Sequence, residues 1–240
     1  MNSLLIAKRD LGSYLHGLTG YLIVAIVLFI DGVLFNAVAL GEGAKYSHEV
    51  LEQFFYICSG TTMIAAVLLT MRSIAEERQT GTDVLLHTAP ISEGQIVFGK
   101  FLAAMGTLSI LTLLTVYMPA LIFVNGKVSY AHIAVGYLGL LCLGAATTAI
   151  GIFASSLFRS QLAAAFVAGV IVVTLLLFWM VSQVTDAPFT DVLAYGALFD
   201  KHFVPFEKGR LLTSGLVYYG SVTYAFLLLA VRVLEGRRWQ

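Results

Sequence analysis

The stretch VSYAHIAVGYLGLLCLGAATTAIGIFASSLF, Val128 to Phe158, contains no Asp, Glu, Lys or Arg. A helix needs roughly 20 residues to cross the hydrocarbon core of a bilayer, and within lipid it satisfies its own backbone groups. This run therefore reads as a membrane-spanning helix. Five further charge-free runs flank it: Leu11–Ile30, Gln53–Met71, Phe101–Gly126, Ser160–Thr185 and Leu211–Val231. The sequence predicts six transmembrane helices, at about 18–39, 52–74, 94–124, 130–157, 161–183 and 212–234. The fold class is an all-α polytopic membrane protein with residues 1–240 as a single transmembrane domain.

Composition agrees. Hydrophobic residues make up 59% of the 240 and charged residues 12%, about half the charged share of a soluble domain. A net charge of zero points to no nucleic-acid partner. Cys58 and Cys142 both lie inside apolar runs and read as small packing residues. One set of helix ends carries Lys8, Arg9, Arg72, Arg78, Lys100, Arg159, Arg232, Arg237 and Arg238; the other carries Lys45, Lys127, Lys201, Lys208 and Arg210. Nine basic residues against five place both termini in the cytoplasm. Ala37-Val38-Ala39 has the look of a signal-peptide cleavage site, but the run ahead of it is longer than a typical signal core.

Ahead of the first span, Leu4, Ala7, Leu11, Tyr14 and Leu18 recur at helical spacing, with Lys8, Arg9 and Asp10 off that stripe. The pattern predicts a short amphipathic helix over 1–16 lying at the membrane interface. Asp31 is an acid inside a span, and such residues are functional candidates by default. Its position toward the outer end also suits a structural role, reaching the headgroup layer or capping a kink with Gly32. Asn125-Gly126-Lys127 predicts an outer turn, and Phe158-Arg159-Ser160-Gln161 a cytoplasmic one. The fourth and fifth spans are rich in Gly and Ala, which lets helix backbones approach closely in lipid.

The cytoplasmic stretch between the second and third spans, MRSIAEERQTGTDVLLHTAPIS (Met71–Ser92), has its own punctuation. Gly81 ends a helix running through Glu76 and Glu77. Thr82 and Asp83 then open a short helix over Asp83 to Thr88, and Pro90 closes it. Ser92 with Gln95 forms a capping box for the third span. This helix-break-helix at the membrane surface presents Val84, Leu85 and Leu86 beside polar groups, which suits either a segment docking on another protein or a loop that covers lipid headgroups, and capping chemistry does not separate the two.

Those residues resemble the signature of ABC type-2 permeases, and in particular the permease subunit associated with gliding motility. Gly151 to Leu157 with Gln161, the His202 to Gly209 stretch, and Arg238-Trp239 are similar to the same family. The resemblance implies that the segment after the second span is a coupling helix docking on a cytoplasmic ABC ATPase subunit. Glu76, Glu77, Gly81, Thr82, Leu85, Pro90 and Ser92 would form or shape that contact, and Arg159 and Gln161 a second, smaller one. It further implies an elbow helix at Leu4 to Leu15 and a re-entrant hairpin at Asp186 to Arg210. A second permease subunit, an auxiliary periplasmic or membrane-anchored subunit, and a bacterial inner-membrane location complete what the resemblance implies.

The sequence holds no Gly-x-x-x-x-Gly-Lys-Ser/Thr phosphate loop. ATP and Mg are therefore expected on the partner, with no cofactor on this chain. His16, His48, His87, His132 and His202 are scattered, with no pair at metal-ligand spacing, and no Gly-x-Ser-x-Gly elbow is present. No enzymatic activity is expected of this chain. The alternative to an exporter subunit is a non-transporting membrane anchor or mechanotransmission component of a larger envelope machine.

Overall fold

The computed structural model describes residues 2–41, 46–82, 91–186 and 189–237. Its first helix, α1 (Asn2–His16), precedes six helices long and apolar enough to cross a membrane. Span 1 is α2 (Leu18–Leu34), continued by a π-helical turn over Phe35–Ala39. Span 2 is α3 (Ser47–Thr70), which passes through a non-helical turn into α4 (Ala75–Thr80). Span 3 is α5 (Glu93–Leu114) followed by α6 (Tyr117–Asn125). Spans 4, 5 and 6 are α7 (Tyr130–Leu157), α8 (Gln161–Ser182) and α11 (Thr213–Arg237). Two short helices, α9 (Phe189–Gly196) and α10 (Val204–Glu207), lie between the last two spans.

Span 4 is the axis of the bundle and packs against spans 2, 3, 5 and 6. Its small residues make that possible: a Cβ at Gly136 would collide with the Phe55 ring, and one at Gly151 with Thr70 Oγ1. The backbones of spans 2 and 4 are thus closer than any side chain would permit, the packing that lipid-embedded helices rely on. Around this axis lies one large core, with Phe54, Phe55, Leu140, Leu143, Phe203, Phe206 and Tyr219 buried. Spans 5 and 6 turn apolar side chains such as Leu162, Phe166 and Val217 outward, as lipid-facing helices do.

Three details depart from the sequence reading. Span 2 begins at Ser47 rather than near 52. Its polar first turn is held by the Glu49 carboxylate, which accepts from the Tyr46 amide at 3.1 Å; a count of charge-free residues misses such a turn. The Leu4–Leu18 stripe divides: Leu4 and Leu18 are exposed, Leu11 and Tyr14 pack inward, and Ile6, off the stripe, is buried. Ile6 and the Ser3 carbonyl sit over Gly99 of span 3, and Leu11 sits over Gly106. Asp10, expected to lie away from the packed stripe, points inward because a buried lysine waits there. Span 3 breaks at Thr115 and Val116 since Pro119, four residues on, has no N–H for the Thr115 carbonyl.

At the opposite end from α1, the segment around α9 and α10 folds back into the bundle. The Leu198 amide donates to the Leu175 carbonyl of span 5, and the Tyr218 and Tyr219 hydroxyls of span 6 donate to the Gly196 and Leu198 carbonyls. The His202 ring stacks on Tyr218 at 3.7 Å between centroids, with Nε2 donating to the Tyr195 carbonyl. Phe203 and Phe206 plug the space between spans 4 and 6.

Two predictions follow from this packing. Gly151→Ala should destabilise the purified protein by about 1–3 kcal/mol through overpacking. Gly169→Ala, where an added Cβ meets nothing within 4 Å, should leave the melting temperature unchanged. The second concerns Glu207, whose pKa is raised from 4.5 to about 7 by burial first and the Glu52 charge second, against the opposing effect of Lys208. The folded chain then holds this proton more tightly than the unfolded one. The contribution is complete below pH 4.5 and lost as pH rises through about 7. Thermal melts across that window should show wild type losing stability relative to Glu207→Gln.

Candidate functional site

The site grows out of the break in span 2. Between Thr70 and Ala75 the chain leaves α-helical geometry, freeing backbone groups that cannot stay bare in an apolar setting. Side chains from two other spans take them. Ser155 Oγ of span 4 accepts from the Ile74 and Ala75 amides, both at 3.0 Å, and donates to the Met71 carbonyl at 3.1 Å. Lys100 Nζ of span 3 donates to the Ser73 carbonyl at 2.6 Å.

Lys100 is only 2% exposed. A buried ammonium must be paired, and two carboxylates supply the pairing: Glu77 of α4 at 2.8 Å and Asp10 of α1 at 3.2 Å. Arg9 closes the cluster, with NH2 2.8 Å from both Asp10 Oδ1 and Glu77 Oε1. Two cations and two anions therefore bind α1, α4 and the start of span 3 together. Beside them Arg72 holds Glu76 through two hydrogen bonds, at 2.7 and 3.0 Å, and donates to Thr19 at the start of α2 at 2.6 Å. Tyr14 of α1 donates to the Leu69 carbonyl at 3.0 Å. Burial, with help from the Asp10 and Glu76 charges, holds its phenol protonated well above the usual range. A cleft of about 650 Å³ opens between α1, α2 and α4, lined in part by Arg9, Arg72, Glu76, Glu77 and Thr80.

The adjacent Glu76 and Glu77 thus serve opposite sides of α4, one facing α2 and the other facing span 3. Gly81 takes the left-handed conformation (φ 73°) that ends α4. Thr82 turns back: its amide donates to the Glu77 carbonyl at 2.9 Å and its hydroxyl also faces that carbonyl. Ser92 Oγ accepts from the Gln95 amide at 3.4 Å and opens span 3. Leu85, Pro90 and the short helix expected over Asp83 to Thr88 lie outside the described residues, as does Arg238-Trp239. In the turn between spans 4 and 5, Arg159 is exposed and Gln161 half-buried. The structure brings that turn beside α4: Arg78 donates to the Ser156 carbonyl, and Arg237 of span 6 to the Leu157 carbonyl at 2.6 Å.

Asp31 stands apart from all of this. It is 2% exposed within the bundle, so it does not reach a headgroup layer, although the π turn at Phe35 begins just beyond it. Sequence reasoning missed the pairing roles of Arg9, Asp10 and Lys100, and the part played by Ser155. The available signal was Lys100 itself, a lone cation embedded in Phe98-Gly99-Lys100-Phe101-Leu102, which must find a carboxylate. Among the described residues no group of three or more His, Cys, Asp or Glu converges as a metal site would.

Six apolar helices around a small-residue axis, with a polar knot gathered at one end, define a multi-pass helical membrane protein. The chain belongs to the ABC-2 transporter family: the model of that family, described as "ABC-2 family transporter protein", matches residues 12–203, from the end of α1 through the folded-back outer segment. A search of curated proteins returns no match.

Removing Lys100 leaves Asp10 and Glu77 to share Arg9 and strips the Ser73 carbonyl of its donor, and breaking one side of a buried pair costs about 3–5 kcal/mol. Lys100→Met should therefore unfold the protein at a clearly lower temperature. Adding Glu77→Gln to that variant should restore part of the loss, a coupling that a double-mutant cycle of melts reads directly.

Proposed function

We propose that this chain is the permease subunit of an ABC-2 exporter-like complex of the gliding-motility type. It takes up the motion of a separate cytoplasmic ABC ATPase through the segment after span 2. The observation that supports this is the bonded knot itself. The segment leading to Gly81 is tied by Glu77, Lys100 and Ser155 to α1, span 3 and span 4. A push on that segment reaches several spans at once instead of bending one loop. Glu76, Glu77, Gly81, Thr82, Leu85, Pro90 and Ser92 form or shape the ATPase contact, and Arg159 and Gln161 the smaller second one.

In this reading the basic end faces the cytoplasm of a bacterial inner membrane, with both termini there, and two permease subunits stand over two ATPases. ATP and Mg reside on the ATPase. Closure of the ATPase pair biases the two six-helix bundles between two arrangements, the coupling of a ligand at one site to a change at another.

The test is a pull-down of tagged full-length chain from mild detergent, followed by mass spectrometry and an ATPase assay. A P-loop ATPase should co-purify. Gly81→Val, which strains the left-handed cap without touching the ion cluster, should reduce its recovery about tenfold, equal to about 1.4 kcal/mol of affinity. Wild-type chain recovered alone or with non-ATPase partners would overturn the exporter reading in favour of a membrane anchor.

A further inference from the structure

Asp31 is a buried acid well inside span 1 that serves none of the contacts above. Its side chain is 2% exposed, and Oδ1 has no hydrogen-bond partner among the described residues. It faces Thr61 of span 2, whose hydroxyl already donates to the Cys58 carbonyl at 3.1 Å. Cys58 of span 2 and Tyr137 of span 4 lie within electrostatic reach. The Tyr137 hydroxyl in turn pairs with Thr115 Oγ1 of span 3 at 3.0 Å. Among the described residues, the groups that face it from the packed elements are neutral: a thiol, a phenol and threonine hydroxyls. Asp31 has no ion pair among the described residues.

The backbone around it is as distinctive as the side chain. Span 1 leaves α-helical geometry at Phe35, where the Leu40 amide reaches back to the Phe35 carbonyl at 2.9 Å. Span 3 breaks at Thr115 and Val116. Side chains from just past the break in span 3 reach span 1 one turn before its π turn, since a Cβ at Gly32 would lie 3.9 Å from both Tyr117 Oη and Met118 Cε. π turns and interrupted spans gather where membrane proteins bind small cations. A bare carboxylate in such a place, with no counter-cation, is costly to bury, whereas the neutral acid is not.

We propose that Asp31 is a proton-binding site, loaded in this conformation, one turn before span 1 leaves α-helical geometry. The carboxyl takes up one proton when the outer half of span 1 closes over it. Water reaching the carboxyl lets it ionise, so opening of that half is linked to release of the same proton. The π turn supplies the joint about which the outer half moves. The proposal does not rest on the ATPase partnership.

The test is infrared spectroscopy of the full-length chain in detergent near neutral pH, taken as wild type minus Asp31→Asn. The spectrum should carry the C=O band of a protonated carboxylic acid, moved by deuterium exchange and displaced in Asp31→Glu. Carboxylate bands in its place would overturn the proposal. Should Asp31→Asn fail to fold, wild type minus Asp31→Glu gives the same reading through a pair of offset acid bands, and offset carboxylate bands would overturn it equally. Conversion of the acid band to carboxylate bands on adding sodium chloride at constant pH would overturn the proton assignment in favour of an alkali ion.

Discussion

The pairing of buried Lys100 with Glu77, Asp10 and the Ser73 carbonyl is the interaction on which the basic end of the bundle depends. Span 2 stops being an α-helix at Met71, and each backbone group released there needs a partner in a place with little water. Lys100 and Ser155 supply partners from spans 3 and 4, so the break becomes a junction of three spans. Once the ammonium is buried, its charge requires two acids, and these draw in α4 through Glu77 and α1 through Asp10. The direction of α4 and the seat of α1 across Gly99 and Gly106 both follow from that requirement.

The two ends of the bundle are built on different principles. The basic end is held by charge, with Arg9, Arg72, Arg78 and Arg237 all capping or bridging. The opposite end is held by aromatic surface: Phe203, Phe206, Tyr218 and Tyr219 close around the folded-back segment, and the stacked His202 fills the same layer. Charge pairs give geometric specificity but answer to small changes in geometry, whereas a packed aromatic plug answers to volume. Between the two ends, the π turn of span 1 sets Phe35 edge-on against Phe54 of span 2, one turn beyond the buried Asp31.

Much of the architecture was legible in the chain because membrane helices declare themselves locally. Charge-free length marks the spans, and Gly81 and Ser92 mark a stop and a start through backbone rules acting over a few residues. The folding-back of the segment around α9 and α10 has no local signal, and only the family resemblance implies a hairpin there. The apolar stripe ahead of the first span holds both Leu11, which packs on span 3, and Leu4 and Leu18, which are exposed. Against lipid, an apolar side chain is as content outside as inside, so apolar spacing does not tell the buried face from the exposed one.

The sequence by itself determined that the chain carries six helices long and apolar enough to cross a membrane, and that a helix must stop at Gly81. Those outcomes follow from transfer free energy and backbone sterics, which act on neighbours in the chain. Only the tertiary structure decided that Lys100 pairs with Asp10, ninety positions away, that Ser155 serves the break in span 2, and that Asp31 is buried with no ion pair among the described residues. Each depends on the rotation and depth of one helix against another. Contacts such as Gly151 on Thr70 and Gly99 on Ile6 set those quantities, and no local pattern encodes them.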